Sequence, residues 1–325
     1  MRTTTRALQI FISLVLGSSS LCLHAQGFPD KPITIVVGYP PGGSTDATGR
    51  AVAESLARIL KTSVVVENIG GAGGVIGAKK VIDAKPDGYT LLLGANNELA
   101  IAPLVSPSAN YSASKDLTPL RYVSAQPIVL VASKKSGITS LPQFLEVVKK
   151  NPGKFSYGSS GVGTALHLAG EMVKERAGLY MTHIPYRGVA PLMNDLMGDN
   201  IDFGMFVMSS ALTQIQSGRV VPIAITELRR APQLPNVPTF SEHPSLKSVA
   251  ISSWFMLMAP QKLDPAIQKI LETASSQILK DAAFRKRLED IGSRVATGEE
   301  NAVEFLVKEV ASYRHTVEFA KIKTE

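Results

Sequence analysis

The sequence predicts an α/β protein with a mainly parallel sheet, and three observations carry that prediction. A β-branched run at residues 33–38 ends in Tyr39-Pro40-Pro41-Gly42-Gly43-Ser44-Thr45-Asp46, and behind it Val52, Leu56, Ile59 and Leu60 recur at helical spacing. The same order of strand, glycine loop and helix returns at residues 63–84 and again at 155–172. In the first hundred residues, strands alternate with helices on a period of about thirty, the pattern of βαβ units. A chain of 325 residues has room for two domains or one large core.

The elements follow in order. The N-terminus carries Arg2 and Arg6, an apolar stretch at residues 7–16, small residues at 17–20, and Ala25 before Gln26. This is the pattern of a cleaved secretory signal peptide over residues 1–25, with an apolar stretch too short for a membrane span. Cys22, the one cysteine, falls inside it, so the mature chain is expected to have no disulfide or thiolate chemistry. Losing Arg2 and Arg6 takes the formal charge from +7 to +5, since 7 − 2 = 5. No dense basic run with interleaved aromatics occurs, which argues against nucleic acid as a partner.

After the first helix, residues 63–67 read as a strand and Asn68 to Gly77 as a glycine loop, with a helix running on through Ala84. Pro86-Asp87-Gly88 makes a turn, and residues 89–93 a third strand ending in Gly94-Ala95-Asn96-Asn97-Glu98. Ligands of such sheets sit beyond the carboxyl ends of the strands, so these loops share one rim. Residues 117–133, broken by Pro119 and Pro127, read as a strand crossing between domains. A helix at 141–150 leads to the strand at 155–157, the loop at 158–164 and a helix carrying His167, Leu168 and Met172. Strands follow at 181–184, 201–207 and 221–225, and residues 232–244 form a proline-rich surface loop. Residues 251–258 return as a strand to the first domain. Asp264-Pro265 opens a helix with Ile267, Ile270, Leu271, Ala274 and Ile278 as its buried stripe, and a last helix spans about 300–319.

A bare glycine loop at a helix start exposes backbone N–H groups and a positive dipole end, a site for a carboxylate or phosphate. Asp46 is expected as an N-cap or first-turn acid; turned into the pocket, it would favour an amine instead. Ser159, Ser160, Gly161, Gly163 and Thr164 offer a second set of donors. Their spacing is not that of a nucleophile elbow, although a secreted hydrolase using Ser159 or Ser160 is the rival reading. His167 sits three residues past Thr164, either packed or facing ligand. Asp202 opens an apolar strand and anchors a loop through N–H groups. Tyr39 and Tyr186, one per domain, are the aromatic clamps, and Arg187 is either a partner for an anion or solvated. The histidines show no ligand spacing, so no metal is expected. The glycines at 71, 73 and 77 miss the strict dinucleotide spacing, and no cofactor is expected.

Together these residues resemble a known family. Tyr39 to Asp46 with Arg50 is similar to the first-loop motif of the Bug-type, TctC-like receptors, the solute-binding proteins of tripartite tricarboxylate transporters. Glu67-Asn68 through Gly77, Pro86-Asp87-Gly88-Tyr89-Thr90-Leu91, Gly158 through Glu171, and Pro185-Tyr186-Arg187-Gly188 with Asp195-Leu196 and Ile201-Asp202 continue the likeness. The resemblance implies a type II periplasmic-binding-protein fold: two α/β lobes with a ligand cleft between them, closing like a hinged trap. It places residues 26–127 and 251–325 in one lobe and 128–250 in the other. It also implies a monomeric periplasmic protein that binds a small organic anion and hands it to membrane permease subunits. By position it points to Tyr39, Gly43 and Ser44 on one lobe, and Ser159, Gly163, Thr164, His167 and Tyr186 on the other. Asp46, Asn96, Gly161 and Asp202 complete the candidate set. The sequence departs from the family at Asn96-Asn97-Glu98. Glu98 in the cleft would favour a ligand that carries an amine or ring nitrogen as well as a carboxylate.

Overall fold

The computed structural model describes residues 27–319 and Ile322, so the expected leader at 1–25 lies outside the described residues. Strand β1 (Ile33–Val37) is buried along nearly its whole length and pairs in parallel with β2 (Val64–Asn68), with Ile35 opposite Val66. Helix α1 (Ser44–Leu60) joins them, burying Val52 and Leu56 against the sheet as their spacing predicts. β2 is an edge strand whose burial alternates along its length, as expected where one face is packed and the other wet. Helix α2 (Val75–Ile82) leads to β3 (Thr90–Ala95), which lies parallel to β1 on its other side. A π-type turn at Asn97–Ile101 and two short helices, α3 (Ala102–Val105) and α4 (Ala113–Asp116), precede the crossing strand.

That strand, β4 (Leu117–Ala132), is 16 residues long and changes partners partway. From Leu117 to Pro127 it pairs antiparallel with β9, and from Ile128 to Ala132 with β7 and β8. Helix α5 (Leu141–Lys150) is N-capped by Ser140, and β5 (Ser156–Ser159) runs into α6 (Ala165–Ala177). Strand β6 (Thr182–Pro185), α7 (Val189–Met197), β7 (Phe203–Val207), α8 (Met208–Gln216) and β8 (Val221–Ile225) complete this part. β5 is parallel to both β6 and β7. Strand β9 (Ser252–Pro260) then returns to pair with β3 and β4. Helices α9 (Pro265–Lys280) and α10 (Ala282–Asp290), the short β10 (Arg294–Val295) and α11 (Ala302–Phe319) close the chain.

The strand order is β2-β1-β3-β9-β4-β7-β5-β6. The expectation of a mainly parallel sheet needs correcting: the two flanking groups are parallel, but every pairing that involves β4 or β9 is antiparallel. One strand leaves the first group and another returns to it, so the two must run in opposite directions. Helices α7, α8 and α10 were not expected. Each has 9 residues, too few for helical periodicity to stand out. α7 and α8 pack Leu192, Leu196, Met208 and Leu212 around the buried Phe206. Asp264 caps α9 as predicted, its Oδ1 accepting from the Ala266 N–H at 2.8 Å. Among the described residues, no helix is long and apolar enough to cross a membrane.

Candidate ligand-binding site

The first rim begins where β1 ends. Gly42 adopts φ +90°, a left-handed conformation that suits glycine, and α1 then starts at Gly43 with no side chain capping it. With no side-chain cap at Gly43, the N–H groups of this first turn are left for an anion. Asp46 lies in that first turn, but its carboxylate is used by the loop itself. Oδ2 accepts from the Gly42 N–H at 2.9 Å and from Arg50 Nε at 3.0 Å, and Oδ1 accepts from Asn68 Nδ2 at 2.9 Å. Burial alone would raise its pKa, yet the bonds from Arg50, Gly42 and Asn68 outweigh burial and hold it below the ordinary carboxylate value. Asn68 also donates to the Tyr39 carbonyl at 3.0 Å, so the glycine turn is braced from beneath.

Tyr39 anchors a buried hydroxyl cluster. Its Oη lies 2.5 Å from Glu98 Oε2 and 2.9 Å from the Gly73 carbonyl, and accepts from Asn97 Nδ2 at 3.1 Å. Glu98 is wholly buried, and its Oε1 accepts from the Ala95 N–H at 2.7 Å. Desolvation raises its pKa to about 7, against the pull of the Tyr39 and Ala95 hydrogen bonds. The proton count agrees. A phenol has one proton for two acceptors here, and a neutral Glu98 that donates to Oη frees the tyrosine proton for Gly73. Gly74 makes this contact sterically possible: it has φ +98°, and a Cβ there would come within 2.6 Å of Glu98 Oε2 and 2.9 Å of Tyr39 Oη. Gly74→Ala is therefore expected to cost about 1–3 kcal/mol, the range for forced overpacking, measured as a lower urea midpoint.

The second rim runs from β5 into α6. Ser159 is fully buried. Its hydroxyl donates to the Gly161 carbonyl at 3.0 Å, accepts from the Gly161 N–H at 3.2 Å, and lies 2.8 Å from His183 Nε2. Ser159 and His183 thus share one hydrogen bond, whose direction follows the imidazole tautomer. Thr164 is the N-cap of α6: its Oγ1 donates to the Gly161 carbonyl at 2.8 Å and accepts from the His167 N–H at 3.4 Å. His167 faces back into the loop, and its Nδ1 accepts from the Gly163 N–H at 3.1 Å. The His167 and His183 rings stack at 3.8 Å, and Tyr157 packs on His183 at 4.9 Å. Burial, more than their neighbours, holds both histidines neutral, with pKa values lowered to about 4 for His167 and about 3 for His183.

Tyr186 lies under this loop. Its ring would be 3.1 Å from a Cβ at Gly158, and its hydroxyl donates to Asp195 Oδ2 at 2.8 Å. Arg187 is exposed beside it, and the Gly188 N–H donates to the Ser160 carbonyl at 3.3 Å. Asp202 ties down the start of β5: its Oδ2 accepts from the Ser156 N–H at 2.8 Å and hydroxyl at 2.9 Å. Asn96 is fully buried at the end of β3, its Nδ2 donating to the Ser252 carbonyl at 2.9 Å and to Tyr313 Oη at 3.1 Å.

One side chain joins the two rims. Asn97 Oδ1 accepts from the Ala165 N–H, the first of α6, at 2.8 Å, while its Nδ2 holds Tyr39. Sequence reasoning marked the turn at residues 94–98 but did not single out Asn97. Two adjacent asparagines on alternate faces are indistinguishable until the backbone shows which one looks outward.

Two groups of parallel strands flanked by helices and joined by the antiparallel crossing strands β4 and β9 define a periplasmic-binding-protein fold. Within that class the chain belongs to the tripartite tricarboxylate transporter receptor family, which it matches over residues 48–318. It is 35% identical over 282 residues to BugT of Bordetella pertussis, covering 86% of each chain. It superposes on the solved periplasmic binding protein BugD with TM-score 0.84 and 33% identity, over 92% of this chain and 100% of that one. MatC from Rhodopseudomonas palustris, solved with bound malate, matches with TM-score 0.82 and 27% identity over 89% of this chain and 100% of that one. The family is one of extracytoplasmic receptors rather than enzymes. That membership, with Ser159 bonded to Gly161 and His183 and the Ser160 hydroxyl to Thr164 Oγ1, sets aside the rival reading of a serine hydrolase.

Proposed function

We propose that this protein captures a small carboxylate-bearing metabolite by closing two lobes over it, and delivers it to the permease subunits of a tripartite tricarboxylate-type transporter. The observation that carries the reading is the pair of helix N-termini, α1 begun at a bare Gly43 and α6 entered through Gly163 and Thr164. α1 presents backbone N–H groups that no side chain caps; those at the α6 start are held by Ser159, His167, Asn97 and Thr164, and both starts carry the positive end of a helix dipole. Residues 26–127 and 251–325 form one lobe and 128–250 the other, a division supported by the change of strand partners after Pro127 and again at Ser252. Tyr39, Gly43 and Ser44 meet the solute from one side and Gly161, Gly163, Thr164 and Tyr186 from the other. Asp46, Asn96, Ser159, His167 and Asp202 hold those groups in place.

The malate in the MatC neighbour supports a plain carboxylate as the solute class. A basic nitrogen on the solute would have to reach a Glu98 carboxyl that lies wholly buried behind Tyr39. The protein works as a monomer, exported by the leader at residues 1–25.

Calorimetry with malate, succinate, glutamate and nicotinate tests the reading. At least one is expected to bind near micromolar, about 8 kcal/mol. Ser44→Pro deletes one N–H at a position where helices tolerate proline. It is expected to weaken binding about tenfold or more, the loss of a hydrogen bond to a charged group, while the melting temperature stays close to the parent's. No binding by any of the four, or equal affinity in Ser44→Pro, would count against the site.

A further inference from the structure

We propose that Asn97 is a clasp between the lobes, a positioning residue whose carboxamide holds the first turn of α6 on one side and the Tyr39 hydroxyl on the other. The inference goes beyond solute capture and takes from the proposed function only the assignment of the two rims to opposite lobes. Asn97 lies just beyond β3, 68 residues before its partner Ala165. The two elements it links pack in different parts of the sheet, β3 against β1 and β9, and α6 against β5 and β7.

The chemistry of each end is specific. Ala165 N–H is an orphan donor of a helix start, and Thr164 Oγ1 cannot serve it because that oxygen caps His167. The carboxamide oxygen of Asn97 fills the role at 2.8 Å, at the positive end of the α6 dipole. Its amide nitrogen then donates to Tyr39 Oη at 3.1 Å. A carboxamide carries a donor and an acceptor on separate atoms of one rigid plane, whereas a carboxylate has no donor and a hydroxyl would have to reach both ends from a single atom. From Tyr39 the string continues to Glu98 at 2.5 Å and to the Gly73 carbonyl at 2.9 Å. One hydrogen-bond chain thus runs from the second glycine loop of one lobe to the helix start of the other. Opening the cleft must break it at Asn97, since every other link lies within a single lobe. Asn97 is only half-buried, so removing its side chain leaves no large cavity.

The test measures lobe separation without any solute. Spin labels at Lys85→Cys and Lys149→Cys, both exposed and one on each lobe, are placed in a Cys22→Ser background. Pulsed dipolar spectroscopy then reads the distance distribution. Asn97→Ala is expected to move population to longer separations, the ratio of closed to open falling about tenfold for the loss of one hydrogen bond. Ala165→Pro removes only the N–H that Asn97 accepts. Proline suits this first helical position, and Thr164 before it already has the extended ψ of 162° that a following proline requires. It is expected to reproduce the Asn97→Ala distribution, and the two changes together are expected to do no more than either alone. Asn97→Asp keeps the acceptor but loses the donor, and is expected to fall between the parent and the alanine variant. Distributions for Asn97→Ala and Ala165→Pro that superimpose on the parent's would overturn the clasp. That result would leave the calorimetric case for solute capture untouched.

Discussion

Glu98→Gln is expected to stabilise the protein by about 3 kcal/mol at pH 8 while changing little at pH 5. The carboxyl is wholly buried, with a pKa raised from 4.5 to about 7, chiefly because burial penalises its charge. A raised acid favours the folded state while neutral, so its contribution is complete below pH 4.5 and is lost as pH rises through about 7. Glutamine reproduces the neutral state. Its carbonyl accepts from Ala95, and its amide nitrogen takes the place of the protonated Oε2 toward Tyr39. Urea unfolding of both proteins at the two pH values checks this, and an equal difference at pH 5 and pH 8 would show that Glu98 does not titrate in this range. A neutral Glu98 also places no charge near an anionic solute, so Glu98→Gln is expected to keep the affinity for whichever carboxylate binds.

The first rim could be read from the sequence because its signals are local. Pro-Pro-Gly-Gly after a β-branched run fixes a turn and a helix start whatever lies around them. The same holds for the Asp264-Pro265 cap of α9. What the sequence leaves open depends on where side chains point once distant elements meet. Asp46 could have faced the pocket, and only the positions of Asn68, 22 residues on, and Arg50 show that it braces the turn. Ser159 looked like a ligand hydroxyl or a nucleophile, yet His183, 24 residues away on the neighbouring strand, draws it into the loop. Asn97 had no distinguishing mark, because its role exists only where two lobes come together. The antiparallel crossing of β4 and β9 was hidden for a related reason: strand direction relative to a remote neighbour leaves no trace in local periodicity.

Acidification is expected to unfasten the second rim, with the stacked His167 and His183 as the cause. Burial lowers its pKa from 6.5 to about 4, with Lys174 adding to the effect and Glu171 opposing it. A depressed base favours the folded state while neutral, so its contribution is complete above pH 6.5 and is lost as pH falls through about 4. For His167 alone that loss is about 3 kcal/mol. His183, stacked on it and lowered to about 3 by burial and by His167 itself, loses its contribution over the same fall in pH and on to about 3, at least as much in total. The structural consequence is specific. Neutral His167 accepts the Gly163 N–H on Nδ1, and a proton there turns the acceptor into a donor facing another donor. The loop that presents Gly161, Gly163 and Thr164 then loses its inner fastening before the sheet melts. His167→Asn keeps an acceptor at nearly the same place without a titrating ring. It is expected to lose some packing at pH 7.5 but to gain about 2–3 kcal/mol on the parent between pH 7.5 and pH 4.5. Parallel urea series at the two pH values decide it. A variant that tracks the parent across this interval would mean that the acid limb belongs to other groups. Because Glu98 and the two histidines lose their contributions in opposite directions, stability is expected to peak between about pH 6 and 7, with each single substitution flattening only its own side.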